Sequence, residues 1–351
     1  MAKVVGYFEI CNIFAKKNAR MDKIIGIGNA LVDILARIGD EKTLKDLRLP
    51  VGSMQLIDEN RLVEMQQVLA GLSTEKSTGG AASNTVCALA CLGASPAFIG
   101  KIGDDAVGAF YEESLHNIGV TTHLFRGDCH SGQVSAFVLP DGERTFATYL
   151  GAAATLEASD LNKTLFEGYS YLYIEGYLLQ DHELILRAMQ LAKEAGLQVC
   201  LDMASYNVVE AESEFFDMLV CKYVDIVFAN EAESYAYTNK EPNDALLEIA
   251  SKCSVAVVKL GAEGSIVKKG TKSICVEPYS VKEVVDTTGA GDFYAAGFLY
   301  ALTSGYSLEK CAQVASVLAG YVIQTVGTTL SPKVWDEIKL NVGAILQGDA
   351  E

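Results

Sequence analysis

From Lys23 onward the chain alternates short β-rich runs with longer helical ones, and this alternation restricts the fold more than any other feature. Lys23–Ile27 reads as a strand, and Ala81–Leu92, made of small and apolar residues, reads as a helix. Ala97–Ile102, Tyr171–Ile174, Gln198–Leu201, Asp225–Phe228 and Val255–Lys259 read as further strands. Val107–Asn117, His182–Ala195, Glu212–Leu219, Asp244–Lys252, Gly291–Thr303, Leu308–Thr325 and Pro332–Leu346 read as helices. Strands that alternate with helices are joined by crossovers, so they predict an α/β fold. Its mostly parallel sheet is covered by helices on both faces.

Two segments break the pattern. Residues 34–58 and 121–150 carry period-two stretches with turn chemistry, Leu49-Pro50-Val51-Gly52 in the first and Pro140-Asp141-Gly142-Glu143 in the second. Val134–Leu139 and Arg144–Tyr149 flank the Asp-Gly turn as a hairpin would. Together the segments predict a small β-sheet that projects from the main domain and covers a site. Residues 1–20 precede a second methionine, Met21, and lack the order of a signal peptide. They read as an extension, leaving one α/β domain over 21–346.

Charge excludes whole classes of partner. The chain holds 28 Lys and Arg against 45 Asp and Glu, a net charge of −17. Phosphate backbones and anionic membrane surfaces need clustered basic residues, so neither nucleic acid nor membrane is expected as a partner. A small anionic ligand is compatible with this charge, because backbone N–H groups and a metal supply positive potential locally. No apolar run approaches the ~20 residues of a membrane span. The nine cysteines contain no C-x-x-C, and the four histidines show no H-E-x-x-H spacing. That usage suits reduced thiols in a cytoplasmic protein, not a disulfide or zinc framework.

The chemistry concentrates in 281-VKEVVDTTGAGDFYAAGFLYAL-302. A β-branched run ends at Asp286, a Thr-Thr-Gly-Ala-Gly turn follows, and a helix begins with Asp292 in its first turn. Asp292 taken alone is an ordinary N-terminal helix stabiliser. Two glycines, two threonines and a second aspartate in the same turn need more than that. Glycines let the backbone approach a ligand closely, and unpaired N–H groups at a helix start converge on an anion. A developing phosphoryl charge held by those groups, with Asp292 beside it to accept a hydroxyl proton, accounts for all of them.

DTTGAGDFYAAGF resembles the C-terminal signature of the ribokinase-like (PfkB) carbohydrate kinase family, which includes adenosine kinases. The stretch 79-GGAASNTVCALACLGASPAFIGKIGDDAVG-108 resembles its N-terminal signature. The similarity runs from Met21 to about residue 335. It implies a ribokinase-like α/β fold with a small β-sheet lid. It also implies an ATP-dependent phosphotransferase that uses Mg²⁺ and phosphorylates a primary hydroxyl of a nucleoside or sugar. A monovalent cation such as K⁺ occurs in sugar kinases of the family.

The family's roles carry over position by position. Asp292 resembles the catalytic base, and the amides of Gly289, Ala290 and Gly291 resemble the anion hole. Asn230 and Glu233, in 230-NEAE-233, match the N-x-x-E motif that organises Mg²⁺ and the ATP phosphates. The same four residues also suit a helix capping box, but parallel sheets place ligands at the C-terminal ends of their strands. Lys259, Gly261 and Gly264 resemble the nucleotide-proximal loop, the alternative being a plain β-turn. For the acceptor, the family uses the aspartate of 28-GNALVD-33, here Asp33, to hold vicinal hydroxyls, with Asn29 beside it. Gly79, Gly80 and Asn84 match positions lining the same pocket. Arg144 resembles a lid arginine that approaches the phosphates, the alternative being a surface arginine. Asp286 is a candidate for a cation site beside the anion hole.

The form G-N-x-x-x-D resembles the adenosine-kinase branch, which makes adenosine the expected acceptor and a ribokinase- or fructokinase-type sugar the alternative. Met54 and Phe137 are candidates to flank a purine, or equally core residues of the lid. The resemblance leaves monomer and homodimer open. A catalytically silent sugar-binding member of the fold is a further reading, opposed by the intact Asp292 turn. A dinucleotide-binding reading of 26-GIGNAL-31 fails at Leu31, where close helix–strand packing needs a small residue. No Walker motif occurs.

Overall fold

In the computed structural model, which describes residues 21–348, short apolar runs form the strands of the centre. The extension expected over 1–20 lies outside the described residues. In chain order the strands are β1 (Ile24–Ile27), β2 (Leu31–Arg37), β3 (Met54–Leu56), β4 (Thr74–Gly79), β5 (Ala97–Gly103), β6 (Thr121–Gly127) and β7 (Gly132–Val138). They continue as β8 (Arg144–Tyr149), β9 (Tyr171–Glu175), β10 (Gln198–Asp202), β11 (Ile226–Asn230), β12 (Val255–Lys259), β13 (Ser265–Lys269) and β14 (Lys272–Val276). The helices are α1 (Lys42–Asp46), α2 (Glu59–Leu69), α3 (Ala81–Cys91), α4 (Ala106–Asn117), α5 (His182–Glu194) and α6 (Tyr206–Ala211). They are followed by α7 (Ser213–Lys222), α8 (Glu231–Thr238), α9 (Pro242–Lys252), α10 (Ala290–Thr303), α11 (Leu308–Val322) and α12 (Pro332–Gln347).

The large sheet has nine strands in the order β14-β13-β12-β11-β10-β9-β1-β5-β6. From β12 to β6 every neighbouring pair is parallel, and β13 and β14 add an antiparallel edge. Strands such as β9 and β12 are apolar on both faces because each face meets its own core. Tyr173 and Phe228 pack with Phe298 of α10 on one side, while Leu172 and Val227 join Ile185 and Phe216 on the other. Helix α10 is apolar nearly all round and is buried from Phe293 to Ala301. Gly297 admits α11, since a Cβ there would lie 2.8 Å from the Ala315 Cα. That contact fixes where α10 begins, at the strands' C-terminal ends.

The small sheet has the order β3-β8-β7-β2-β4 and contains the expected hairpin as β7 and β8. Its composition differs from expectation in two places. Thr121–Gly127, expected in the lid, pairs in parallel with β5 over its whole length and belongs to the large sheet. Thr74–Gly79, unassigned from sequence, pairs antiparallel with β2 as the far edge. One face of the small sheet carries Val32, Ile34 and Phe137, in the core that also takes Leu44 of α1 and Met65 and Leu69 of α2. Because side chains alternate, the opposite face carries Leu31, Asp33, Leu35, Val134, Phe146 and Arg144. This second face lies toward the start of α10, where Arg144 makes contact.

Candidate active site

The parallel strands end in polar residues at one level. Glu175 of β9 sits beside Asp202 of β10, and Asn230 of β11 beside Lys259 of β12. Helices α3 and α10 start above them, so the first turn of α10 is framed by strand ends and the first turn of α3.

Asp292 occupies that first turn. Its Oδ2 accepts from Asn84 Nδ2 at 2.8 Å, and Thr85 Oγ1 donates to its backbone carbonyl at 3.2 Å. Burial pushes its carboxyl up to about 7, with the charges of Asp202 and Glu175 adding to the rise and Asn84 and Lys259 opposing it. A base that is half protonated near neutral pH is suited to taking a hydroxyl proton. Gly289 precedes the helix in the left-handed region (φ 77°), and a Cβ there would strike Thr328. Among the described residues the amides of Gly289, Gly291 and Asp292 make no hydrogen bond. That of Ala290 donates to Thr287 O at 3.2 Å, so the turn offers three free donors, with the amide of Asp292 in place of that of Ala290. Lys259 Nζ would lie 3.1 Å from a Cβ on Gly291, so the missing side chain makes room for an ammonium at the helix start.

Asp33 stands on the open face of the small sheet. It is half-buried, burial pushes its carboxyl up to about 7, and it has no hydrogen-bond partner among the described residues. Gly79 lies against it, for a Cβ there would fall 2.6 Å from Asp33 Oδ1, and Gly80 packs equally closely on the Asn29 carbonyl.

The pattern of the pfkB family carbohydrate kinases matches residues 49–335. The chain belongs to that family. It is an ATP-dependent carbohydrate or nucleoside kinase with the ribokinase-like fold. It is 27% identical to an adenosine kinase of Schizophyllum commune over 89% of this chain and 98% of the relative. It is 30% identical to a 5-dehydro-2-deoxygluconokinase of Bacillus licheniformis over 76% of this chain and 87% of the relative. The solved adenosine kinase of Sinorhizobium meliloti superposes with a TM-score of 0.79 at 33% identity, covering 92% of this chain and 99% of that one. Adenosine kinases among both sequence relatives and solved structures agree with the branch that GNALVD indicates. Among the described residues no helix is long and apolar enough to cross a membrane.

Against this PfkB frame, several residues hold different places from those expected. Asn29 turns away from the acceptor side, its backbone and side-chain N–H groups both donating to Glu175 Oε1, while Ala82 N donates to Oε2. Asn84 spends its amide N–H on Asp292 and its carbonyl oxygen on the Thr328 hydroxyl, so it orients that carboxylate instead of presenting free groups. Asp286, the candidate for a cation site, is engaged by protein donors. Thr288 N and Oγ1 donate to one oxygen, and Gly327 N and Arg144 Nη1 to the other, which saturates the carboxylate. Burial alone would raise its pKa, but those donors outweigh it and hold the carboxyl below its ordinary value. Arg144, at 2.5 Å from Asp286, is thus a half-buried link from the small sheet to the α10 turn.

Asn230 and Glu233 form a full capping box at the start of α8, with Glu233 buried and both its oxygens receiving N–H groups of Asn230. Among the described residues no three carboxylate, histidine or cysteine side chains converge as a metal cage. Gly264 (φ 90°) closes the β12–β13 turn against Val276, whereas Gly261 lies open near Glu231. Phe137 is fully buried on the core face and is corrected as a base-flanking residue, while Met54 lies exposed opposite Phe146. Sequence reasoning missed Glu175 and Asp202. Their signal was an acidic residue closing an apolar strand, YLYIE and QVCLD, at the end where parallel sheets bind ligands.

Proposed function

We propose that the protein transfers the γ-phosphoryl of ATP to a primary hydroxyl of a nucleoside, adenosine being the best fit, in the cytoplasm. The observation that carries this reading is Asp33, a half-buried carboxyl without a protein donor on a face lined by Leu31, Leu35, Val134 and Phe146. A carboxyl in that setting is costly until a ligand's hydroxyls complete it, and an apolar surround suits a planar base better than a bare sugar. The gluconokinase-type relative supports a second reading, a sugar or sugar-derived acceptor.

In the mechanism, Asp33 accepts hydrogen bonds from vicinal hydroxyls and fixes the acceptor under the small sheet. Asn84 holds Asp292 so that one oxygen faces the attacking hydroxyl. Asp292 takes that proton as the oxygen attacks phosphorus, and the free amides of Gly289 and Gly291 stabilise the equatorial oxygens. ATP would extend from this turn toward Gly261 and Gly264. Magnesium usually keeps several waters and binds through phosphates. Asn230 and Glu233 would hold the ion through waters, both Glu233 oxygens being engaged by Asn230. When bound, the ion neutralises phosphate charge. Closure of the small sheet would keep water from the γ-phosphate.

The test is a coupled ADP-release panel with adenosine, inosine, ribose, fructose and fructose-6-phosphate. Release with nucleosides alone supports the proposal. Release with sugars alone refutes the nucleoside reading in favour of the second one.

A further inference from the structure

We infer that Lys259 is a catalytic residue for the phosphoryl step and that Asp202 is the residue that positions it. The inference rests on the kinase reading above but adds a charge to it that the anion turn does not supply.

Lys259 ends β12 with its ammonium against the first turn of α10, 3.1 Å from where a Cβ on Gly291 would lie. Asp202, at the end of β10, accepts from Nζ at 3.0 Å, and the two side chains are 14% and 8% exposed. The other oxygen of Asp202 accepts from Ala204 N at 3.0 Å. Ala204 holds a left-handed backbone (φ 61°), a conformation that alanine adopts only when its surroundings impose it. Asp202 is therefore fixed from both sides.

An ammonium has three donors. Asp202 takes one, and among the described residues the other two have no acceptor. A buried ion pair seldom stabilises a fold more than packed apolar groups would, so spare donors aimed at the anion turn point to a ligand. Burial would lower the Lys259 pKa, but Asp202 and Glu233 outweigh it, and the group keeps its proton. In the transfer step the acceptor oxygen bonds to the γ-phosphorus and the bond to the β-phosphate oxygen breaks. ADP leaves with that electron pair, and the hydroxyl proton goes to Asp292. Lys259 exchanges no proton. Its fixed charge offsets the charge spread over the equatorial oxygens.

The test compares wild type, Lys259→Met, Asp202→Asn and the double variant by ADP release, with ATP titration calorimetry on each. Wild type is read first, because no ADP release with any acceptor refutes the kinase reading itself. Given wild-type turnover, Lys259→Met should lower kcat roughly 10²-fold with acceptor KM within about threefold of wild type. Read well above pH 7, where the influence of the Asp202 and Lys259 charges on Asp292 no longer changes its ionisation, Asp202→Asn should lower kcat roughly tenfold alone and no further in the Lys259→Met background. The double variant strands no buried charge and keeps the experiment informative if a single variant fails to fold. A double variant with wild-type kcat and ATP affinity overturns the role of Lys259. An Asp202→Asn loss that recurs in full without the ammonium overturns the role of Asp202.

Discussion

Two carboxyls share an anomaly. Asp292 and Asp33 are each pushed by burial from the ordinary 3.8 up to about 7. Between those values the folded chain keeps protons that the unfolded chain has lost, so stability is fullest below about pH 4 and declines as pH rises through about 7. Urea midpoints should therefore fall between about pH 5 and pH 8, and a variant with both residues as asparagine should flatten that decline. In the proposed mechanism both groups act ionised, so activity should run the other way. The acid limb of log(kcat/KM) for the acceptor should have a slope of about 2, reduced to about 1 in Asp33→Asn. Asp292→Asn should lower kcat roughly 10²–10⁴-fold, and wild-type-like turnover there would remove it as the base. Asp292 was legible in the sequence because glycines and acids crowd a helix start. Glu175 and Asp202 were less so, since an acidic residue closing an apolar strand is a weak signal until neighbouring strands set two of them side by side.

Elements were legible where their apolar pattern is local. The parallel strands and the helices around them are nearly all where alternation placed them, since each buries its own run. The edges of both sheets were not, because their residues are polar and only pairing makes them strands. TEKSTG of β4 and TTHLFRG of β6 have no period of their own. The β13–β14 hairpin was missed because its apolar pair, Ile266 and Val267, is too short a run to mark a strand alone. A consequence at this scale concerns β8, which is tied to the α10 turn through Arg144 and Asp286. Arg144→Gln leaves Asp286 with three donors, so stability should drop by about 1–3 kcal/mol, the worth of a hydrogen bond to a charged group. If the link also holds the small sheet closed, ADP release without acceptor should rise several-fold over wild type as water reaches the phosphate. An unchanged uncoupled rate would make the pair a structural tie alone.

At the scale of the molecule, two sheets divide the reaction. In the proposed mechanism the large sheet brings four polar strand ends and a helix start to the phosphoryl group, while the small sheet contributes the acceptor side. Strand register therefore decides specificity. Phe146 pairs with Ala136 and Phe137 with Thr145, so the two phenylalanines point to opposite faces of the small sheet. Phe137 is fully buried in the core, and Phe137→Ala should cost about 3–5 kcal/mol in stability while leaving the ratio of adenosine to ribose KM alone. Phe146 lies on the open face of the small sheet opposite Met54, and in the proposed reading a purine stacked there loses its aromatic neighbour in Phe146→Ala. Adenosine KM should rise roughly tenfold, given ~1–3 kcal/mol for a base on an aromatic ring, with ATP KM unchanged. A ring on the open face that can be deleted without effect on adenosine, while sugars are still phosphorylated, would mean that this face receives no base. The acceptor would then be a sugar held by Asp33 alone.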